Sequence, residues 1–245
     1  MPTSRRAPIV ALLPLLQRRF PGLDDPERLI KEGAILVDGV PAASSRTRVR
    51  AGAAIRIRQP RPLRGTIKLA GALAGFGVDA VGAVALDLGA AAGGFTQALL
   101  DAGAARVYAV DAGAGQLRGW LRADPRVVSL ERTNLARLGP DLIDERADLV
   151  TMDLSYLSVA DAIGQVDRRL LAPGARLIAL VKPTFELHAG ALASRPDQVA
   201  AAVDVAARAL DAHGWRVLGH APSPMLGARG AVEALLYAQD GRPAP

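Results

Sequence analysis

The sequence predicts an α/β chain: a doubly wound, mostly parallel sheet with an antiparallel last strand, preceded by a small α+β module. Three observations lead there. Short apolar runs at 84–88, 107–110, 126–130, 147–152 and 175–181 alternate with helical segments, as in a parallel sheet covered by helices. Three of these runs close on a charged residue, Asp111, Asp153 or Lys182, at the strand ends where open α/β sheets place their ligands. Basic charge is concentrated ahead of the runs: residues 1–64 hold 13 basic and 5 acidic side chains, against 17 and 19 in the rest.

Taken in order, residues 1–6 are polar and expected to be disordered. Apolar spacing from Ile9 to Phe20 predicts a helix that Pro14 should kink. Asp24 and Asp25 can cap a second helix with Pro26 in its first turn, and Gly33 ends it. Short strands are expected at 35–38, 39–41 and 54–58, and residues 59–65 form a proline-stiffened linker. Beyond it, residues 66–76 read as a helix that places Lys68 near its start. Further helices are expected at 156–171 and 196–213, and 215–219 with 231–238 read as closing strands, close enough in sequence to be antiparallel.

Composition excludes several classes of function. The chain of 245 residues has no cysteine, which removes disulfides, thiolate metal sites and a cysteine nucleophile. Its three histidines, His188, His213 and His220, have no metal-ligand spacing, so no metal is expected. No apolar run reaches 18 residues, so a membrane span is not expected and the protein should be cytoplasmic. Only Lys31, Lys68 and Lys182 are lysines among 30 basic residues. In an arginine-dominated chain each retained lysine is a position where an amine could matter, because arginine cannot release its proton near neutral pH.

The stretch from Val84 to Leu117 is a strand, a small-residue loop (Gly89 to Gly94), a helix from about Phe95 to Asp101, and a second strand ending at Asp111. Its loop carries no side chain larger than a methyl, so a ligand can lie against backbone N–H groups at the helix start. The glycines at 89, 93 and 94 fit neither G-x-G-x-x-G nor a P-loop. The pattern D-x-G-x-x-x-G-G, from Asp87 to Gly94, with an acid closing the next strand, resembles the S-adenosylmethionine pocket of Rossmann-like methyltransferases. That resemblance implies cofactor contacts from Asp87, Gly89, Gly93, Gly94, Phe95, Asp111, Asn134 and Asp153, with Asp111 on the ribose hydroxyls. Ala90, Ala91 and Ala92 replace the hydroxyl residues usual in that loop.

The N-terminal stretch LIKEGAILVDGVPAASSRTRVRAGAAIRI resembles the S-four-type RNA-binding domain named after a ribosomal protein, over about residues 7–58, which sets the expected domain at 1–58. It departs from that family in carrying Ala7-Pro8 and Asp25-Pro26. The resemblance implies an RNA-facing surface that includes Arg28, Lys31, Arg46, Arg48 and Arg50. Clustered basic charge on a small module favours phosphate contact in its own right, although a solvated sheet face would look the same.

Across about residues 60–240, with the catalytic domain expected at 66–245, the stretches LRGTIKL, ALDLGAAAGGFTQALL, VYAVDAGAGQL, ERTNL, DLVTMDLSYLSV, LVKPTFE and SPMLGARGAVEALLYA resemble, in order and spacing, the TlyA or hemolysin-A family. These are ribosomal-RNA 2′-O-methyltransferases with an FtsJ-like catalytic domain. The resemblance implies S-adenosylmethionine as cofactor, ribosomal RNA or ribosomal subunits as partner, and a ribose hydroxyl, of a cytidine, as methyl acceptor. It also implies a catalytic tetrad of Lys68, Asp153, Lys182 and Glu233, with Lys182 the candidate base. The absence of cysteine and of an Asn/Asp-Pro-Pro-Tyr motif, replaced by Asp153-Leu-Ser-Tyr156, agrees with a hydroxyl acceptor. Two other classes are weighed beside it: an RNA-binding assembly factor that has lost the chemistry, and a membrane-active hemolysin. The sequence does not address oligomeric state.

Overall fold

A computed structural model describes residues 7–23, 25–58, 62–189 and 194–242. Expectations for residues 1–6, the capping role of Asp24 and linker residues 59–61 fall outside that set. The chain divides into two compact units, Met1–Arg61 and Pro62–Pro245.

In the first unit, β1 (Ile9–Ala11) leads into helix α1 (Leu12–Arg19), and α2 (Pro26–Lys31) leads into β2 (Ile35–Val37) and β3 (Val40–Pro41), followed by β4 (Arg48–Arg50) and β5 (Ile55–Ile57). The expected start of the first helix is corrected: Ile9–Ala11 pair antiparallel with Arg48–Arg50, a strand where the sequence pattern suggests the first turn of the helix. Pro14 does not kink α1, because it sits in the first turn, where backbone N–H groups have no intrahelical partner to lose. Asp25 caps α2, accepting from the backbone N–H of Arg28 at 3.0 Å. Sheet β3-β2-β5 and the β1–β4 pair close over Leu12, Leu15, Leu16, Ile30 and Ile35, all buried.

The second unit begins with α3 (Arg64–Phe76). It continues through β6 (Val84–Leu88), α4 (Gly94–Asp101), β7 (Arg106–Asp111), α5 (Gly119–Arg122), β8 (Val127–Glu131) and β9 (Ala147–Met152). Then come α6 (Val159–Ile163), β10 (Leu171–Val181), α7 (Pro183–Glu186), α8 (Pro196–Ala212), β11 (Trp215–Pro222) and β12 (Ala234–Asp240). One seven-stranded sheet runs in the order β11-β12-β10-β9-β6-β7-β8. Strands β8, β7, β6, β9 and β10 are mutually parallel, and β12 enters antiparallel between β10 and β11. This is the Rossmann-like methyltransferase sheet.

Because successive side chains of a strand point to opposite faces, each apolar strand serves two cores. Ala85 joins α3 and α4 on one face, while Leu86 and Leu88 join α6 and α8 on the other. The expected helix 156–171 is shorter than its pattern suggested. It stops at Gly164, and after a single 3-10 turn at Arg168–Leu170, β10 starts at Leu171. The chain leaves β6 toward β7 on one side and returns to β9 on the other, so the crevice at the carboxyl ends of β6 and β9 is the switch point where ligands of such sheets bind.

Candidate active site

The loop after β6 is held open by glycine. Gly89 has φ +88°, and a Cβ there would lie 2.6 Å from the carbonyl oxygen of Asp153. Gly93 has φ +96°, and its Cβ would lie 2.8 Å from Leu117 Cδ1; a Cβ on Gly94 would lie 2.8 Å from the Cα of Gly65. These contacts leave no room for a side chain at those three positions, so the loop backbone forms the floor of the crevice. Helix α4 starts from Gly93 with no side-chain cap, which leaves its N-terminus suited to an electron-rich ligand. A nucleoside cofactor of the S-adenosylmethionine kind fits such a cradle.

Asp111, half-buried at the end of β7, accepts from Ala91 N at 2.8 Å and Gly113 N at 2.7 Å. It thereby ties the loop after β6 to the loop after β7. Asp87 is placed differently from the cofactor-facing position expected of it. Its carboxylate is fully buried beneath the loop, accepting from the hydroxyls of Thr96 at 2.6 Å and Thr151 at 2.9 Å. Burial outweighs those two hydrogen bonds and pushes its carboxyl up to about 6. The ring of Phe95 is 2 % exposed and belongs to the core under α4, so only its backbone can meet a ligand. Asn134 uses its side-chain oxygen to cap the turn Leu135–Arg137, accepting from Ala136 N at 3.2 Å.

Asp153 and Lys182 follow the adjacent strands β9 and β10. Their side chains form an ion pair at 2.7 Å, and Lys182 Nζ also donates to Leu154 O at 2.7 Å and to Ser155 Oγ at 3.0 Å. Three acceptors thus surround an amine with three N–H bonds to give. The β10–β12 register, which pairs Val181 with Ala234, sets Lys182 opposite Glu233 one step further on. Glu233 in turn is bonded to Lys68 from the first turns of α3, and both residues are buried. The four residues expected to act together therefore stand as two ion pairs at the carboxyl ends of β9 and β10, with Lys68 bound to Glu233 rather than to Lys182 or Asp153.

Several residues that shape this site escaped the sequence reading. Arg64 donates to the carbonyls of Leu226 and Gly227, holding the loop that ends at Glu233. Glu131 accepts from Gln116 N at 3.0 Å and Leu117 N at 3.3 Å, fixing the loop after Asp111. Tyr156 is raised above the ordinary tyrosine range by burial and then by the Asp111 carboxylate, which puts the loop after β9 within electrostatic reach of β7's end. Thr151 carried a usable signal: a hydroxyl inside an apolar strand needs a buried partner. In the first unit, Arg28, Lys31, Arg46, Arg48 and Arg50 are all exposed, and Arg48 and Arg50 flank the buried Val49 on one face of β4.

Comparison with known proteins agrees with this geometry. The FtsJ-like methyltransferase family matches residues 62–239. The chain is 40% identical over 222 residues to the 16S/23S rRNA (cytidine-2′-O)-methyltransferase TlyA of Mycobacterium tuberculosis, covering 85% of this chain and 81% of that protein. It is 30% identical over 218 residues to Hemolysin A of Brachyspira hyodysenteriae, covering 85% and 90%. Among solved structures, a hemolysin-named protein from Streptococcus thermophilus superposes with a TM-score of 0.69 at 27% identity, covering 97% of this chain and 90% of that one.

Proposed function

Since the chain belongs to the FtsJ-like methyltransferase family, an S-adenosylmethionine-dependent class, we propose that it methylates a ribose 2′-hydroxyl of a cytidine in ribosomal RNA. The TlyA relative carries that activity in its name. The observation that carries the proposal is the Lys182–Asp153 pair at 2.7 Å, set beside a glycine-floored crevice at the sheet's switch point.

When bound, the cofactor supplies an electrophilic methyl group. Gly89, Gly93, Gly94 and the backbone of Phe95 would line its cradle, Asp111 would take its ribose hydroxyls in place of Ala91 N, and Asp87 would support the loop from below. A ribose hydroxyl is a weak nucleophile and benefits from a positioned proton acceptor or cation. Lys182 would meet it by exchanging one of its three acceptors for the hydroxyl. As the ammonium it would stabilise the developing oxyanion, and to take the hydroxyl's proton it would first release one of its own to solvent, while Asp153 fixes its direction. The Lys68–Glu233 pair would orient the ribose from the β12 side.

The first unit is proposed to be an S-four-type RNA-binding domain and the second, which begins at Pro62 with α3 running from Arg64, the catalytic domain, so the expected linker 59–65 gives up residues 62–65 to it. The first unit's exposed Arg28, Lys31, Arg46, Arg48 and Arg50 would contact phosphates. Ribosomal RNA as substrate implies a cytoplasmic enzyme; among the described residues no helix is long and apolar enough to cross a membrane.

The decisive experiment incubates purified protein with labelled S-adenosylmethionine and ribosomal subunits from cells lacking it, then maps 2′-O-methylated positions. Label at a cytidine ribose is expected. Failure to label either subunit, with cofactor bound, would favour the non-catalytic assembly-factor reading.

A further inference from the structure

Glu186 lies outside every role assigned above, yet it is among the few charged side chains the second unit buries, at 4 % exposure. It ends the short helix α7, one turn after Lys182, and that turn is closed by hydrogen bonds from Phe185 N and Glu186 N to Lys182 O at 2.9 and 3.1 Å. Its carboxylate accepts from Val159 N at 2.6 Å and Ala160 N at 3.3 Å, at the start of α6. Burial pushes the carboxyl up, against those two backbone hydrogen bonds.

Capping is one part of what this carboxylate does. Helix α6 has a side-chain cap in Ser158, whose Oγ accepts from Asp161 N at 2.9 Å, and Glu186 serves two further N–H groups at a helix start where Ser158 and Val159 are buried. Burying a carboxylate is unfavourable unless something is gained. What this contact adds is a link between two loops. Asp153, Leu154 and Ser155 lie on the loop that runs from β9 into α6, and Lys182 lies on the turn from β10 into α7. The Lys182 contacts join the loops at one end, and Glu186 joins them at the other. The result is a closed ring through Asp153, Val159, Glu186 and Lys182.

We propose that Glu186 is a positioning residue for methyl transfer: by fastening the α7 turn to the start of α6 it holds Lys182 against Asp153, Leu154 and Ser155. The proposal rests on Lys182 being the residue that meets the acceptor hydroxyl. Without Glu186 the far end of this ring is lost, while at its near end the amine must give up one acceptor to the ribose.

The test uses the full chain, labelled S-adenosylmethionine and ribosomal subunits from cells lacking the protein, under single-turnover conditions. Glu186→Ala should slow transfer about 100-fold, the scale expected of misplacing a reacting group by about 1 Å, with cofactor Kd within about threefold of wild type. Glu186→Gln, which keeps one acceptor oxygen, should recover part of the loss and fall about 10-fold short. Asp240→Asn serves as a control, since Asp240 is a buried carboxylate on the last residue of β12, paired with Arg168 and Arg242; at a matched fall in Tm it should keep its rate within about threefold. The proposal is overturned if Glu186→Ala keeps its rate within about threefold of wild type, or if Asp240→Asn loses as much at equal Tm. Should Glu186→Ala not fold, wild-type transfer by Glu186→Gln overturns it equally. Lys182→Ala, run in parallel, separates the two ideas: transfer by that variant would sink the reading of Lys182 itself, whereas its loss beside an unaffected Glu186→Ala sinks only the positioning role.

Discussion

The ammonium of Lys68 and the carboxylate of Glu233, 165 positions apart in the chain, are each other's partner in the interior of the catalytic unit. Removing one member leaves a buried charge without its counter-ion, which typically costs about 3–5 kcal/mol, whereas removing both with apolar side chains of similar size costs far less. Lys68→Ala and Glu233→Ala should each lower stability by about that amount, and Lys68→Met with Glu233→Leu by much less than their sum. Urea unfolding of the four proteins checks this; additive losses would mean that the two side chains do not interact.

Gly89 and Gly115 both hold left-handed backbone, at φ +88° and +70°, but a Cβ meets Asp153 O at one and open space at the other. Alanine at 115 should therefore cost only the conformational strain, about 1 kcal/mol. At 89 it must also displace the loop that floors the crevice. Calorimetry with S-adenosylmethionine should show at least a 10-fold weaker Kd for Gly89→Ala and an unchanged one for Gly115→Ala.

Lys182→Arg keeps a cation beside Asp153 but replaces an amine with a guanidinium that cannot release its proton, and exchanges three divergent N–H bonds for a planar fork. Near-complete loss of single-turnover transfer is expected, with cofactor affinity retained. A variant that keeps most of its rate would rule out proton abstraction by this residue and leave it as a positioned charge.

Asp87 makes stability depend on pH in a defined direction. Its folded value of about 6 lies above the ordinary 3.8, so between those values the unfolded chain releases the proton first. Stability from this group therefore falls as pH rises from about 4 to about 6, by up to about 3 kcal/mol, and is level above. Carboxylates held low, such as Asp240 with its two arginines, slope the opposite way, so the difference between wild type and Asp87→Asn is the quantity to measure. A difference that does not change between pH 4 and 6 would contradict the burial of Asp87 as a titrating group.

The exposed arginines of the first unit predict a salt-dependent RNA affinity. Replacing Arg48 and Arg50 with glutamine should weaken binding to ribosomal RNA and lower the slope of log K against log salt by about one to two, near one for each phosphate no longer neutralised. An unchanged slope would assign those residues to a merely solvated face.

The parts of this protein that the sequence made legible are those written in local patterns. The apolar strands, the small-residue loop and the residues closing each strand could be read because periodicity and spacing are properties of contiguous chain. The β1–β4 pair could not, since Ile9–Ala11 continues a helical pattern and becomes a strand only by meeting Arg48–Arg50. Which lysine pairs with which acid was equally hidden: the order Lys68, Asp153, Lys182, Glu233 is compatible with any pairing until β12 inserts beside β10. Asp87 was placed at the correct strand end, but its burial under the loop depends on two threonines, one of them 64 residues away.

The position of β12 also bears on synthesis of the chain. Every other strand of the seven-stranded sheet precedes it in sequence, yet it sits between β10 and β11 and is the partner of both. Until residues 234–240 have left the ribosome, the apolar edge of β10 is unpaired, β11 has nothing to dock on, and Lys68 has no counter-ion. A nascent chain therefore stays aggregation-prone until that strand emerges, and it acquires the Glu233 half of its centre only with the strand that closes the sheet.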